Sequence, residues 1–395
     1  MKRFWILLLV SLLAILLGVM AWKIAGAQDH MLNSDFFTFW LGGRMIGQGQ
    51  DPYDPVLWKA GHDLAGSTWL ENPIYCYPLP LAYLTFLIGV LPISLAGPVW
   101  LFLSAGSILL AILILQSRRR DGLQWNQLFP VILGLAFFRP VLTTLRNGQL
   151  GSFFLIILVA ALFYVEKKKW IIVGILTALL YLKPTLGLPI LGLLFIWFFR
   201  NKGPKGILVN GLAAVSVLVI SLIHRPGWLS SFFSVGLSKG SDVFMRTPTI
   251  WGVTGGICSL NSGCAQFTGA ILSLLIAVGA VLYFWKYSVK MNIWLAGSIA
   301  VLIALLITPY LWAYDQVLLI LPILYITNAL ARIKTRYIFV SLLPVLFTMI
   351  SLLLLYLATL NGHDVASILL TLIIAGVLTM TEIRSRKQEN GPITS

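Results

Sequence analysis

Residues 95–116 read LAGPVWLFLSAGSILLAILILQ, and Ser117 is followed by Arg118-Arg119-Arg120. About 20 apolar residues are what a helix needs to cross the hydrocarbon core of a bilayer. No water is available there to satisfy backbone amides and carbonyls, so such a run has to be helical. Three arginines directly after it mark the cytoplasmic end, because short basic loops beside spans stay on that side.

The same pairing of apolar run and basic loop recurs along the chain. Further clusters lie at Lys167–Lys169, Arg200/Lys202/Lys205, Lys286/Lys290, Arg332/Lys334/Arg336 and Arg384/Arg386/Lys387. One alternating map puts every cluster inside. Its twelve spans are Phe4–Trp22, 95–116, 128–145, 149–165, 170–183, 185–199, 206–223, 265–285, 291–307, 316–330, 337–360 and 364–381. Both termini are then cytoplasmic. On this map 19 Lys and Arg face 4 acids inside, against 9 of each outside, which is the asymmetry that orients a membrane protein. The run Phe4–Trp22 exceeds the roughly 7–15 residues of a signal-peptide core, so an uncleaved first span is expected. Pro78–Pro92 is apolar but short and flanked by proline. Parity makes it a helix at the outer interface, since two spans here would put the three arginines outside.

Composition agrees with this class. Apolar residues make up 59% and charged residues 10%, with a mean hydropathy of +0.92, whereas a soluble domain carries roughly 25% charged residues. The runs are continuous, unlike the alternating strands of a membrane barrel. The net charge of +15 resides in loops beside spans, where it anchors to anionic lipid rather than lining a nucleic-acid groove. His30, His62, His224 and His363 show no metal spacing; they are expected as loop residues, with His62 or His224 near enough to touch substrate. Cys258 and Cys264 either bridge on an oxidising side or stand as free thiols.

Polar groups beside the spans gather on the outer side of the map. They are Asp35, Arg139, Arg146-Asn147-Gly148-Gln149, Lys183-Pro184, Thr308-Pro309-Tyr310, Tyr314-Asp315 and Asn361–Asp364. Ionisable groups at membrane depth are costly and usually face a cavity, a partner or a substrate. The plain alternative is a set of structural ion pairs, for instance Arg146 with Asp315. Arg and Lys at this boundary suit a phosphate, and a phosphate carrying a lipid tail there is a polyprenyl phosphate. A lone carboxylate beside it, Asp35, suits a general base for an acceptor hydroxyl. Phe36, Phe39 and Trp40 are expected in an interfacial aromatic belt.

These residues resemble a known family. Asp35, then Gly49-Gln50-Asp51-Pro52-Tyr53-Asp54 and Tyr77-Pro78-Leu79-Pro80, look like the first outer loop of the GT-C superfamily of membrane glycosyltransferases. Asn147-Gly148-Gln149, Leu182-Lys183-Pro184 and Thr308-Pro309-Tyr310 with Tyr314-Asp315 are similar to glycosyltransferase family 87, which includes polyprenol-phosphate-mannose-dependent α-mannosyltransferases. The resemblance implies an all-α GT-C-type bundle of about twelve membrane helices with two long outer loops, 23–94 and 224–263, that contain interfacial helices. It implies one transmembrane glycosyltransferase domain over 1–386 and a disordered cytoplasmic tail over 387–395.

The implied activity is inverting transfer of a sugar, mannose or another hexose or pentose, from a polyprenyl-phosphate donor, as by a hexosyltransferase. The acceptor is a hydroxyl of a lipid or glycan outside the inner (plasma) membrane, in service of the cell envelope. Asp35 matches the catalytic base. Arg146, Asn147, Gln149, Lys183, Tyr310 and Asp315 would bind the donor phosphate and substrate, with no metal and no cofactor. The rival classes are a multi-spanning transporter or lipid-linked sugar flippase, and a non-catalytic assembly partner. No internal repeat of the transporter kind is visible.

Overall fold

A computed structural model describes residues 31–68, 75–117, 125–332 and 337–389. The expected span Phe4–Trp22, His30, Arg118–Arg120 and residues 390–395 lie outside the described residues. Every element among the described residues is helical. In the first loop these are α1 (Asp35–Gly47), α2 (Pro55–Ala65), α3 (Leu79–Leu84) and α4 (Phe86–Val90). Then come α5 (Ile93–Ser117), α6 (Trp125–Ala136), α7 (Arg139–Asn147), α8 (Gly151–Glu166), α9 (Trp170–Ala178), α10 (Pro184–Arg200) and α11 (Pro204–His224). The second loop holds α12 (Trp228–Val243) and α13 (Ile250–Ile257). The chain continues through α14 (Ser262–Tyr287), α15 (Ile293–Ile307), α16 (Ile320–Arg332), α17 (Tyr337–Asn361) and α18 (Ile368–Glu389).

Six of the described helical stretches have the length and apolarity to cross a bilayer, and a seventh is added if one bent pair counts as a single crossing. That makes the chain a multi-pass membrane protein; among the described residues, fewer helices reach full spanning length than the charge-based map expects there. The difference lies in breaks. The run expected over 128–145 is two helices, α6 and α7, separated at Phe137-Phe138. Pro140 lacks an amide hydrogen, so it fits the first turn of a new helix rather than the middle of an old one. Trp170–Leu182, Pro184–Arg200 and Ile293–Ile307 are apolar but only 10–17 residues long. Pro78–Pro92 forms α3 and α4, of six and five residues, each too short to cross. Leu87 and Val90 there stay exposed.

Ordinary local signals place these pieces. Asp54 caps α2, accepting from the amides of Val56 at 2.8 Å and Leu57 at 3.1 Å, with Pro55 in the first turn. The break that opens α7 buries Arg139. Its guanidinium donates to Asp364 Oδ1 at 2.7 Å and Ser367 Oγ at 2.6 Å, and its own amide donates to Ser351 Oγ at 3.1 Å. The Asp364 amide donates to the Arg246 carbonyl of the second loop at 3.1 Å. Removing one member of a buried pair strands the other charge. Arg139→Leu is therefore expected to lower stability by about 3–5 kcal/mol, seen as a lower melting midpoint of the detergent-solubilised protein.

Cys258 and Cys264 are bridged, with their Cα atoms 5.8 Å apart. The bond joins the end of α13 to the first turn of α14, which Asn261 caps.

Candidate active site

The site is built where α1 meets the turn between α7 and α8. That turn, Asn147-Gly148-Gln149, bends the chain by 117°. Gly148 adopts the left-handed conformation, φ +63°, and the Gln149 amide donates back to the Thr144 carbonyl at 3.0 Å. Glycine at this position ends helices because it lacks a Cβ to clash. A second constraint is spatial: a Cβ on Gly148 would sit 2.5 Å from Cβ of Phe36. The residue next to Asp35 thus rests directly on the Gly-Gln turn. Trp100 of α5 ties the turn down, its indole N–H donating to the Gly148 carbonyl at 2.7 Å.

Phe36 and Phe39 are wholly buried and Trp40 nearly so. They are core, not the interfacial belt expected from sequence. Phe36 and Phe39 both pack on the Trp100 ring, at 5.7 and 5.6 Å between centroids. Burying aromatic rings on one side of α1 fixes how its first residue, the half-buried Asp35, is presented.

Lys183 comes from a second break, between the short 3-10 turn Leu179–Leu182 and α10. The chain doubles tightly here, and a Cβ on Gly187 would lie 2.0 Å from the Leu180 carbonyl oxygen. Tyr181 in the same turn donates to Asn210 Oδ1 of α11 at 2.9 Å, and Asn210 donates to Thr177 Oγ1 at 3.0 Å. The Lys183 ammonium pairs with Asp315 Oδ1 and lies 5.2 Å from the Tyr314 ring centroid. The Asp315 side chain is 1% exposed and that of Lys183 11%. The second carboxylate oxygen of Asp315 accepts from the Trp312 amide at 3.3 Å.

Two further bonds join these segments. Thr308 Oγ1 donates to the Thr185 carbonyl at 3.0 Å, and Thr144 Oγ1 donates to the Tyr314 carbonyl at 2.8 Å. The Gly-Gln, Lys-Pro, Thr-Pro and Tyr-Asp motifs are therefore physically one assembly.

Tyr77 lies within electrostatic reach of Asp35 and Asp315. Burial pushes its phenol well above the usual tyrosine range, and the negative charges of nearby Cys76, Asp35 and Asp315 push it further, while the Gln149 amide acts in the opposite direction. Tyr314 lies within electrostatic reach of the same two aspartates. Tyr310, half-buried, is raised by burial and by Cys76 to about 12. Gln149 is completely buried. Among the described residues neither of its amide atoms completes a hydrogen bond. Tyr77 was quoted in the sequence only as part of a Tyr-Pro motif; its role as a neighbour of both acids had no local signal.

Other expected site residues lie differently. Arg146 is exposed on the last turn of α7 and Asn147 is half-buried. Asp315 pairs with Lys183, not with Arg146. His62 is buried rather than a surface residue, packed against Phe37 with ring centroids 4.7 Å apart. Burial moves its pKa down from the ordinary histidine value, leaving it neutral at pH 7. Arg225 donates to the Gly49 carbonyl at 2.5 Å and so fastens the second outer loop to the first. Among the described residues no three His, Cys, Asp or Glu side chains are placed to hold a metal ion together.

The model of glycosyltransferase family 87 matches residues 75–309, more than half of the chain. The chain belongs to glycosyltransferase family 87. It is accordingly a membrane glycosyltransferase, a transferase consistent with the GT-C type. The match to family 87 takes in the Gly-Gln turn, Lys183-Pro184 and Thr308-Pro309, while Asp35, Tyr310 and Asp315 lie outside it. No curated protein and no solved structure matches this family-87 chain.

Proposed function

We propose that this family-87 protein moves a sugar, mannose or another hexose or pentose, from a polyprenyl-phosphate donor to an acceptor hydroxyl on the extracytoplasmic face, with inversion. The observation that supports the reading is the seating of Phe36 on Gly148, which sets its chain neighbour Asp35 beside the Gly-Gln turn. Asp35 takes the proton of the acceptor hydroxyl as its oxygen bonds to the anomeric carbon. The bond from that carbon to the phosphate oxygen breaks, and its electron pair stays on the phosphate. Lys183 stabilises that charge. An ammonium has three donors; Asp315 occupies one and fixes the aim of the others. Arg146, Asn147 and Tyr310 are assigned to the donor headgroup and acceptor entrance.

The Cys258–Cys264 bridge supports an oxidising, extracytoplasmic position for the second loop. Through Arg225 and Gly49 that loop is joined to the one carrying Asp35. This support is independent of the charge count.

The test is transfer from a panel of radiolabelled polyprenyl-phosphate sugars into extracted lipids and glycans by membranes containing the protein. Label in a lipid or glycan product from one donor is expected. No transfer from any donor, with movement of lipid-linked sugar across the bilayer instead, would mean a flippase. Lys183→Met is expected to strand the buried Asp315 carboxylate, at a cost of about 3–5 kcal/mol, and to melt early. The double variant Lys183→Met/Asp315→Leu should regain much of that stability and still fail to transfer. Transfer by the stable double variant would remove Lys183 from the donor site.

A further inference from the structure

The Lys-Pro and Thr-Pro breaks each leave a backbone carbonyl without a donor from its own helix. In α10 the Thr185 carbonyl faces position 189 one turn on, and Pro189 has no amide hydrogen. The Ile307 carbonyl ends α15, and the last carbonyls of a helix have no donor within it. Thr308, before Pro309, is already extended.

A side chain from another element supplies each donor. Thr308 Oγ1 shares its proton between the Ala304 carbonyl at 2.7 Å and the Thr185 carbonyl at 3.0 Å. The Trp251 indole N–H of α13 donates to the Ile307 carbonyl at 2.9 Å. Thr185 lies in the same turn as Lys183, whose carbonyl accepts from the Leu186 and Gly187 amides at 3.1 and 2.9 Å. A line of contacts therefore runs from the second outer loop through Thr308-Pro309 to Lys183-Pro184.

Trp251 is itself firmly seated. Its ring meets Phe244 edge-on, with centroids 5.7 Å apart. A Cβ on Gly269 of α14 would lie 3.0 Å from Trp251 Cε3, so the indole rests on bare backbone there. Thr254 Oγ1 reaches both the Trp251 carbonyl at 2.9 Å and the Ala265 carbonyl of α14 at 3.1 Å. The Cys258–Cys264 bridge closes the same junction.

We infer that Trp251 is a positioning residue for Lys183: its indole N–H fixes the end of α15, and through the Thr308 hydroxyl it sets the turn that aims the Lys183 ammonium. The inference rests on the reading of Lys183 as the cation that holds the departing phosphate. It makes the second outer loop a working part of the donor site rather than a cover over the bundle.

The experiment follows Lys183 directly and requires no activity. Purified full-length protein in detergent is treated at fixed pH with a water-soluble succinimidyl ester, and acylation of each lysine is timed by mass spectrometry. Lys59, exposed in the first loop, is the internal reference. Trp251→Phe keeps a ring in the seat and removes the N–H. Relative to Lys59, Lys183 is expected to acylate about 2- to 10-fold faster, the range of one neutral hydrogen bond. Thr308→Val should act likewise, whereas Thr308→Ser, which keeps the hydroxyl, should label as wild type. The double variant Trp251→Phe/Thr308→Val should match Thr308→Val alone, because both changes cut one line. Trp294→Phe removes an indole bond to Glu166 at the other end of α15 and should leave Lys183 labelling in place. An unmoved rate in either single variant, additive effects in the double variant, or equal acceleration in Trp294→Phe overturns the inference. With a donor in hand, Trp251→Phe should lower kcat by about 2- to 10-fold, and an unchanged kcat also overturns it. If wild type transfers no sugar, the proposed function fails while the labelling still decides whether Trp251 positions Lys183.

Discussion

Asp35→Asn is expected to reduce sugar transfer by about 10²- to 10⁴-fold, the range set by removal of a positioned general base. Asparagine preserves size and most of the packing at the start of α1. The amide accepts no proton at neutral pH, so binding and chemistry separate. Donor affinity should be nearly unchanged, because the proposal assigns Asp35 to the acceptor and Lys183 to the phosphate. Equal amounts of both proteins in the membrane, and equal melting midpoints, are the necessary controls. Near-normal transfer by Asp35→Asn would remove Asp35 as the base and turn attention to Asp315. That residue is poorly suited to the task while both its oxygens are engaged by Lys183 and Trp312.

Gly148→Ala is expected to be nearly as damaging without altering any charge. Alanine at φ +63° costs on the order of 1 kcal/mol in backbone strain. The larger effect is the new methyl 2.5 Å from Phe36 Cβ. Both partners are backbone-anchored, so neither can swing aside as a long side chain would. Either α1 moves back, carrying Asp35 with it, or the Gly-Gln turn opens. A displacement near 1 Å in a catalytic group is enough for about 10²-fold in rate. The protein should still insert and carry its lipid-facing helices, so loss of kcat with a modest fall in melting midpoint is the expected pattern. Full activity in Gly148→Ala would show that the contact between α1 and the turn is incidental.

The membrane class and the helical architecture were legible from the apolar runs, because lipid leaves the backbone no alternative to helix. The breaks were less so. The run 128–145 looked continuous because Phe137 and Phe138 are as apolar as a span interior, and only Pro140 after a charged residue marked the restart of α7. The motifs carried the Gly-Gln, Lys-Pro and Tyr-Asp segments, but not their pairing. Arg146 and Asp315 looked like partners by depth, whereas Asp315 meets Lys183 and Arg139 meets Asp364. Partner choice is fixed by helix rotation and by bends such as the 117° turn at Gly148, which hydropathy does not encode. Phe36, Phe39 and Trp40 read as an interfacial belt because an aromatic cluster after a span is compatible with either place. Trp100, more than 60 residues further on, makes Phe36 and Phe39 core, and Trp40 is tied in by its bond to the distant Leu91 carbonyl.

One reaction property follows directly from a single carboxylate acting as base on an acceptor hydroxyl while a cation holds the departing phosphate. One displacement inverts the anomeric carbon; two displacements through a glycosyl-enzyme retain it, and need a second carboxylate as nucleophile. The decisive measurement is the anomeric configuration of the new glycosidic bond, determined by NMR on product made from a donor of known configuration. The account predicts the opposite configuration to the donor's. Retention would contradict it, and would require a carboxylate acting as nucleophile.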